Sequence, residues 1–376
     1  LWGKCDGQTV QSNRHGRGTV FSGISPAEAL ARLEVAPAVQ LPEGLAWIHR
    51  RSDDTEIFFV SNQSGKTVDA MAGFRAAGRK PEFFDAERGT VRPAAGWTVE
   101  GAHVRVPLHL APEKSVFVVF RHPGAPAADP IVRAEGPSGE LSELVGADGS
   151  LLRAWNNGTH ALHRASGKTS KVKLAGLPSP LQLRGPWELR FPPKRGAPEQ
   201  ARLEKLVPWD EHPDPGVRYF SGTATHTITF DLPDGFLKGN QQAWLDLGEV
   251  AVIADVRLNG KDLGVLWHQP FRIDVHKALR AGSNTLEVDV TNLWINRLIG
   301  DEQHPPDCRY HDTDMDWFTN RSLVEWPDWF ANRNPRPVPE RVTFTTWKHY
   351  KADDPLRPSG LIGPVTLRPA RLVEVE

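Results

Sequence analysis

Leu286-Glu-Val-Asp-Val-Thr291 is the stretch that decides the fold. Leu286, Val288 and Val290 point one way and Glu287, Asp289 and Thr291 the other, the period of two that an antiparallel sheet with one wet face requires. Runs of the same kind recur along the chain: Glu56-Ile-Phe-Phe-Val60, His103-Val-Arg-Val106, Ser115-Val-Phe-Val-Val-Phe120, His226-Thr-Ile-Thr-Phe230, Trp244-Leu-Asp-Leu247 and Val365-Thr-Leu367. Turns such as Asn259-Gly260, Asn157-Gly158 and Ala281-Gly-Ser-Asn284 separate them, where a barrel of alternating strands and helices would need ten-residue amphipathic segments. The reading is a mainly β chain built of antiparallel sandwiches. Two helical exceptions stand out. Ser25-Pro-Ala-Glu28 is a capping box with proline at the first helical position and opens a helix through Leu33. Val275 to Arg280 reads as a single helical turn capped by Asp274 and stopped by Gly282.

With 376 residues, the chain has room for two or three domains. Hydrophobic residues at 39% and charged residues at 24% supply real cores and exclude a disordered chain. A net charge of -1 gives no basic field for nucleic acid or acidic lipid, and no apolar run reaches membrane-spanning length. Cys5 and Cys308 are the two cysteines and stand far apart, so neither a disulfide framework nor a thiolate metal site is indicated. Composition shifts divide the chain into residues 1–44, a tail of an upstream domain with one helix; 45–180, a first β-sandwich; and 181–376, a second β-sandwich.

The ordered series Gly185-Pro-Trp-Glu-Leu-Arg-Phe191, Gly216-Val-Arg-Tyr-Phe-Ser-Gly-Thr-Ala224, Val256-Arg-Leu-Asn-Gly-Lys-Asp-Leu-Gly264, Trp267-His-Gln-Pro-Phe271 and Val290-Thr-Asn292 resembles the galactose-binding-like jelly roll of family 2-type glycoside hydrolases. Asn296-Arg-Leu-Ile-Gly-Asp301 and Ser359-Gly-Leu-Ile-Gly-Pro-Val365 resemble more narrowly the C-terminal region of glycoside hydrolase family 106, the bacterial α-L-rhamnosidases. Ile48-His-Arg-Arg51 with Ile57-Phe-Phe-Val-Ser-Asn62 is similar to the sandwich that follows the catalytic region there. The resemblance implies a bacterial protein, periplasmic or secreted, that handles a plant or microbial glycan, one containing rhamnose included. It also implies a catalytic (β/α)8 barrel with no counterpart in this sequence, so no catalytic residue of the family transfers to a numbered position.

Glycoside hydrolysis needs two carboxylates about 5–10 Å apart in a cleft. The densest acidic stretch runs from Asp301 to Glu325, and Asp301, Asp314 and Glu325 are the candidate acid and base. The same stretch holds Trp317 and Trp326, whose faces can stack on pyranose rings. Two readings stand: a sugar site, or a long loop covering a sheet edge. Asp312-x-Asp314-x-Asp316 imitates the start of an EF-hand, but Trp317 occupies the glycine position and Leu323 that of the bidentate glutamate. The resemblance leaves an irregular structural calcium at Asp312, Asp314 and Asp316; no cofactor is otherwise required. In the resembling jelly roll, Trp267 and His268 lie toward the rim where ligands or a catalytic domain sit, and Trp294, Asn296 and Arg297 follow a strand end in a similar position. Alternatively, Trp267 closes the sandwich end, His268 satisfies a carbonyl and Arg297 pairs with Asp301. Gly-x-Ser-x-Gly, Gly-x-Gly-x-x-Gly and P-loop motifs are absent.

These observations define two expectations. The first is a carbohydrate-binding accessory portion of a rhamnosidase-like enzyme, partnered by a catalytic barrel and exposing apolar residues around 1–44. The second is a self-contained glycoside hydrolase with its carboxylate pair in 301–325.

Overall fold

The computed structural model describes residues 1–375 apart from 88, 140, 141, 147–149, 240 and 312–320. The chain is mainly β and divides into two units: Leu1–Leu152, Thr159–Lys173 and Glu374–Glu376 form one, Arg153–Gly158 and Leu174–Val373 the other.

In the first unit, Leu45–Ser52, Thr55–Asn62, Ser115–Pro123, Arg79–Asp85 and Thr90–Pro93 form a sheet in that spatial order. Val39–Gln40, Val68–Phe74, His103–Leu110 and Thr98–Glu100 form another. Phe58, Val60 and Phe120 from the first share one core with Phe74, Val104 and Val106 from the second, all fully buried. The expected helix forms over Pro26–Arg32 with both hydrogen bonds of its capping box, yet none of its residues is buried.

The second unit follows from the 286–291 pattern. Gly282–Thr291 pairs along its whole length with Thr223–Leu232 on one side, and from Leu286 to Thr291 with Ile253–Leu258 on the other. Gln200–Leu203, Trp187–Arg190 and Lys261–Leu266 complete a six-stranded antiparallel sheet. Thr366–Glu374, Gln241–Asp246 and Arg272–Asp274 lie in a second sheet. Leu286, Val288 and Val290 meet Ala243, Leu245 and Leu367 in a core that also buries Trp187 and Trp209. Burying side chains of this size contributes roughly 1.5–3 kcal/mol each. Asn259 and Gly260, both at positive φ (54° and 74°), make the hairpin turn between Ile253–Leu258 and Lys261–Leu266.

The single turn expected at Val275 to Arg280 forms, the Leu279 N–H donating to the Val275 carbonyl and Asp274 accepting from the His276 N–H. Another local expectation needs correction. Gly282 to Asn284 are not a turn but the start of the long strand, paired with Leu232, Asp231 and Phe230. The buried Asn284 side chain explains this. It bonds both the N–H and the carbonyl of Arg280 and the carbonyl of Gly282, so the turn is closed by a side chain while the backbone ladder runs on.

Candidate functional site

The six-stranded sheet of the second unit keeps its outer face polar at the centre. Asp289 accepts from the Thr225 hydroxyl at 2.6 Å and from Arg257 at 2.8 Å, and the Thr223 and Thr291 hydroxyls meet at 2.8 Å. Burial pushes the Asp289 carboxyl up, but Arg257 and Thr225 together hold it below the usual range. Toward the edge the face turns apolar. Ile253 pairs with Thr291, and Val265 pairs with Asp255. Both are exposed, and Trp267, following Leu266, is 57% exposed. Trp267 therefore does not close the sandwich end. The His268 ring stands edge-on to it at 4.7 Å, with Nδ1 2.6 Å from the Gln269 carbonyl oxygen. Beyond the end of Gly282–Thr291, Leu293 and Trp294 are likewise more than half exposed.

Trp294 caps the helix Ile295–Asp301, where exposure ends. Asn296 is buried and exchanges hydrogen bonds with the backbone of Arg357: its Nδ2 donates to the carbonyl at 2.7 Å and its Oδ1 accepts from the N–H at 2.8 Å. The Arg297 guanidinium, also buried, lies 3.0 Å from Asp301, and burial lowers its pKa despite that partner. Asp301 accepts from the Val342 N–H, the Thr343 N–H at 2.6 Å and the Thr343 hydroxyl at 2.5 Å. At 2% exposure a carboxylate so held presents no oxygen to a sugar. Gly300 allows this close packing, since a Cβ there would stand 2.5 Å from that of Tyr219.

The following excursion has a charge-paired centre. Asp307 pairs with Arg336 and Arg341, and Glu302 with Arg341 and Lys348. Arg336 also donates to the carbonyls of Arg341 and Thr343 and lies 4.8 Å over the Trp329 ring. The space among these side chains is about 20 Å³, room for one water and not for a pyranose. Cys308 borders it, its thiol pushed up to about 11 by burial and by Asp307, so it is no nucleophile. At the surface, Glu325 forms an exposed pair with Arg309 at 2.6 Å. Trp326, 59% exposed, stacks on Phe330 at 5.4 Å, and Phe330 on Phe344 at 4.4 Å.

The structure thus separates the candidates. Trp267, Trp294 and Trp326 offer open rings; Asn296, Arg297 and Asp301 are occupied by protein partners. Asp312, Asp314, Asp316 and Trp317 lie outside the described residues, and among the described residues no group of three or more His, Cys, Asp and Glu is placed to hold a metal. Ile253 and Val265 beside Trp267, and Phe330 and Phe344 beneath Trp326, were not picked out from sequence. Alternation gives no signal for Val265, which shares its phase with Leu263; the register shift between Val256 and Arg257 is what lets Leu263 pack on the core while Val265 stays exposed.

The second unit is thus an antiparallel β fold with open indoles at Trp267 and Trp294, and both units have counterparts among known proteins. Residues 216–339 match the family model "Glycosyl hydrolase 2 galactose-binding domain-like", and residues 1–98 match that of Glyco_hydro_106, "alpha-L-rhamnosidase". The solved structure of the rhamnosidase from Novosphingobium sp. PP1Y superposes with a TM-score of 0.68 at 32% identity, covering 98% of this chain and 28% of that one. A curated protein of Formosa agariphila named "Putative beta-glucuronidase" is 42% identical over 210 residues, 56% of this chain and 17% of the relative. The resemblance read from the sequence is therefore present in both units, and the chain spans less than a third of either relative's length.

Proposed function

We propose that this chain is the carbohydrate-binding, accessory C-terminal portion of an α-L-rhamnosidase-like glycoside hydrolase, its ligand a plant or microbial glycan containing rhamnose. The carrying observation is a contrast: Trp267 and Trp294 stand open at the ends of strands in a sheet whose central face is polar, while Asp301, the candidate acid seven residues past Trp294, is spent on the Val342 and Thr343 backbone. Open indoles bind sugars by stacking on the apolar face of a pyranose, and the threonine and aspartate row beside them supplies hydroxyl partners. The exposure of Leu1, Trp2, Leu30, Leu33 and Val35 supports a catalytic barrel as the partner of the N-terminal region. A structural calcium at Asp312, Asp314 and Asp316 belongs to the same proposal and is checked by the shift in Tm on adding EDTA.

The test is calorimetry of the purified chain against rhamnose-containing oligosaccharides, run beside turnover of chromogenic glycosides including an α-L-rhamnoside. Binding without turnover, weakened in Trp267→Ala and Trp294→Ala, is the expected result. Turnover abolished by Glu325→Ala or Asp314→Ala in a folded chain would overturn it in favour of a self-contained hydrolase.

A further inference from the structure

The first unit holds a cavity that the proposed function does not use. The segment from Pro123 to Pro130 joins the strand Ser115–Pro123 to the strand Ile131–Glu135. Together with Lys80, Pro81 and the stretch 93–97 it encloses a space of about 150 Å³. Pro81, Ala94, Gly96, Trp97 and Pro130 are buried and form the floor; Pro93, Ala125, Ala127 and Lys80 are exposed and form the mouth.

The walls are held in place by their own backbone. The Gly124 N–H donates to the Gly78 carbonyl at 3.1 Å, the Ala165 N–H to the Pro130 carbonyl at 3.0 Å, and the Ala94 N–H to the Pro81 carbonyl at 3.0 Å. Gly96, at a φ of 69°, seats the floor on the next strand, since a Cβ there would stand 2.3 Å from the Ile131 carbonyl oxygen. Proline, alanine and glycine have no rotamers with which to close the space, so it is ready-made for a ligand.

The lining is apolar but for two groups, the Trp97 indole N–H and the Lys80 ammonium. The Lys80 stem lies against Gly124, where a Cβ would stand 3.0 Å from the Lys80 Cβ. Lys80 forms no ion pair among the described residues. The one acid of the covering segment, Asp129, gives its two oxygens to the Ser166 N–H and hydroxyl, each at 2.8 Å. The positive charge at the mouth is therefore available.

We infer that this cavity binds a small aromatic carboxylate, its ring among Pro81, Pro93 and Pro130 and its carboxylate at Lys80. An apolar cavity of about 150 Å³ is the size that takes one benzene ring. A sugar is rejected here, because its hydroxyls would lose water and find almost no side-chain partners. The site is independent of the carbohydrate reading of the second unit.

Fluorine NMR of 4-fluorobenzoate in the presence of the purified chain tests it. The fluorine line broadens, and unlabelled benzoate restores it. The uncharged 4-fluorobenzyl alcohol binds about fivefold more weakly, the scale of one exposed ion pair, and 4-fluorobenzylamine more weakly still. Lys80→Gln lowers the affinity for the benzoate to that for the alcohol and leaves the alcohol unchanged. Ala127→Leu and Ala125→Leu each fill the mouth and remove binding of both, with Tm unchanged because both positions are exposed. Trp267→Ala binds the benzoate as the wild type does. A line that stays sharp with the wild type, an amine bound as tightly as the benzoate, wild-type affinity of Lys80→Gln, or wild-type binding by both leucine variants each overturns the assignment.

Discussion

Trp209 and His226 lie ring on ring in the core of the second unit, 5.5 Å between centroids and 5° from parallel. Full burial pushes the imidazole down to about 4, outweighing the opposing pull of the Val288 backbone and the Asp289 charge. The folded state therefore holds His226 neutral, while the unfolded chain protonates it near 6.5. Because the unfolded state binds the proton first, stability is complete above pH 6.5 and falls as the pH drops toward 4, by about 3 kcal/mol. Urea unfolding of the wild type and His226→Phe from pH 7 to 4 checks this. The variant loses that part of the slope, and an unchanged slope would show that His226 does not titrate on unfolding.

Asp301→Asn keeps the shape of the side chain but removes the charge facing Arg297. Stripping one member from a buried pair costs about 3–5 kcal/mol. Thermal unfolding is expected to fall steeply, with faster amide exchange at Val342 and Thr343, whose N–H groups Asp301 holds. A normal Tm would instead mark Asp301 as free for chemistry.

The exposed Arg309–Glu325 pair predicts the opposite. Glu325→Gln should change stability by less than about 1 kcal/mol. Compared side by side with Asp301→Asn in one denaturant series, it shows which carboxylate of the acidic stretch the fold depends on.

Trp267→Ala should leave Tm within a few degrees, since the ring is mostly in water, and raise the Kd for a bound neutral glycan about thirtyfold, as truncating a central Trp contact does. Loss of Tm without loss of binding would make Trp267 a packing residue.

Leu286→Ala removes a fully buried side chain from the middle of the central strand. It should cost about 2–5 kcal/mol, read as a lower denaturant midpoint at unchanged m.

Much of this architecture was legible because it is local. Alternation at 286–291 needs no distant partner to be read, and the Ser25 capping box closes within four residues. What escaped was assembled from afar. The Arg297 partner of Asp301, four residues away, was legible, but its backbone partners Val342 and Thr343 lie forty residues downstream and left no local sign. Arg153, Trp155, Trp244, Arg272 and Arg368 meet only because four strand segments lie side by side. The Ala281–Asn284 turn was misread for a related reason: asparagine and glycine signal a turn, but the Asn284 side chain supplies the turn's hydrogen bonds and frees the backbone for the sheet.

The clamps on the helix Ile295–Asp301 bear on how this protein can change. Asn296 grips the chain at Arg357, and Asp301 grips it at Val342 and Thr343, so the ends of the intervening excursion are fixed by side chains that belong to the sandwich. Added length at an exposed point such as Arg333-Asn334 meets only the entropy of a longer closed loop, about 0.6 kcal/mol for each doubling. The excursion can accordingly be exchanged, extended or grafted while the sheets beneath it stay as they are, and recognition surface can be acquired here without refolding the domain.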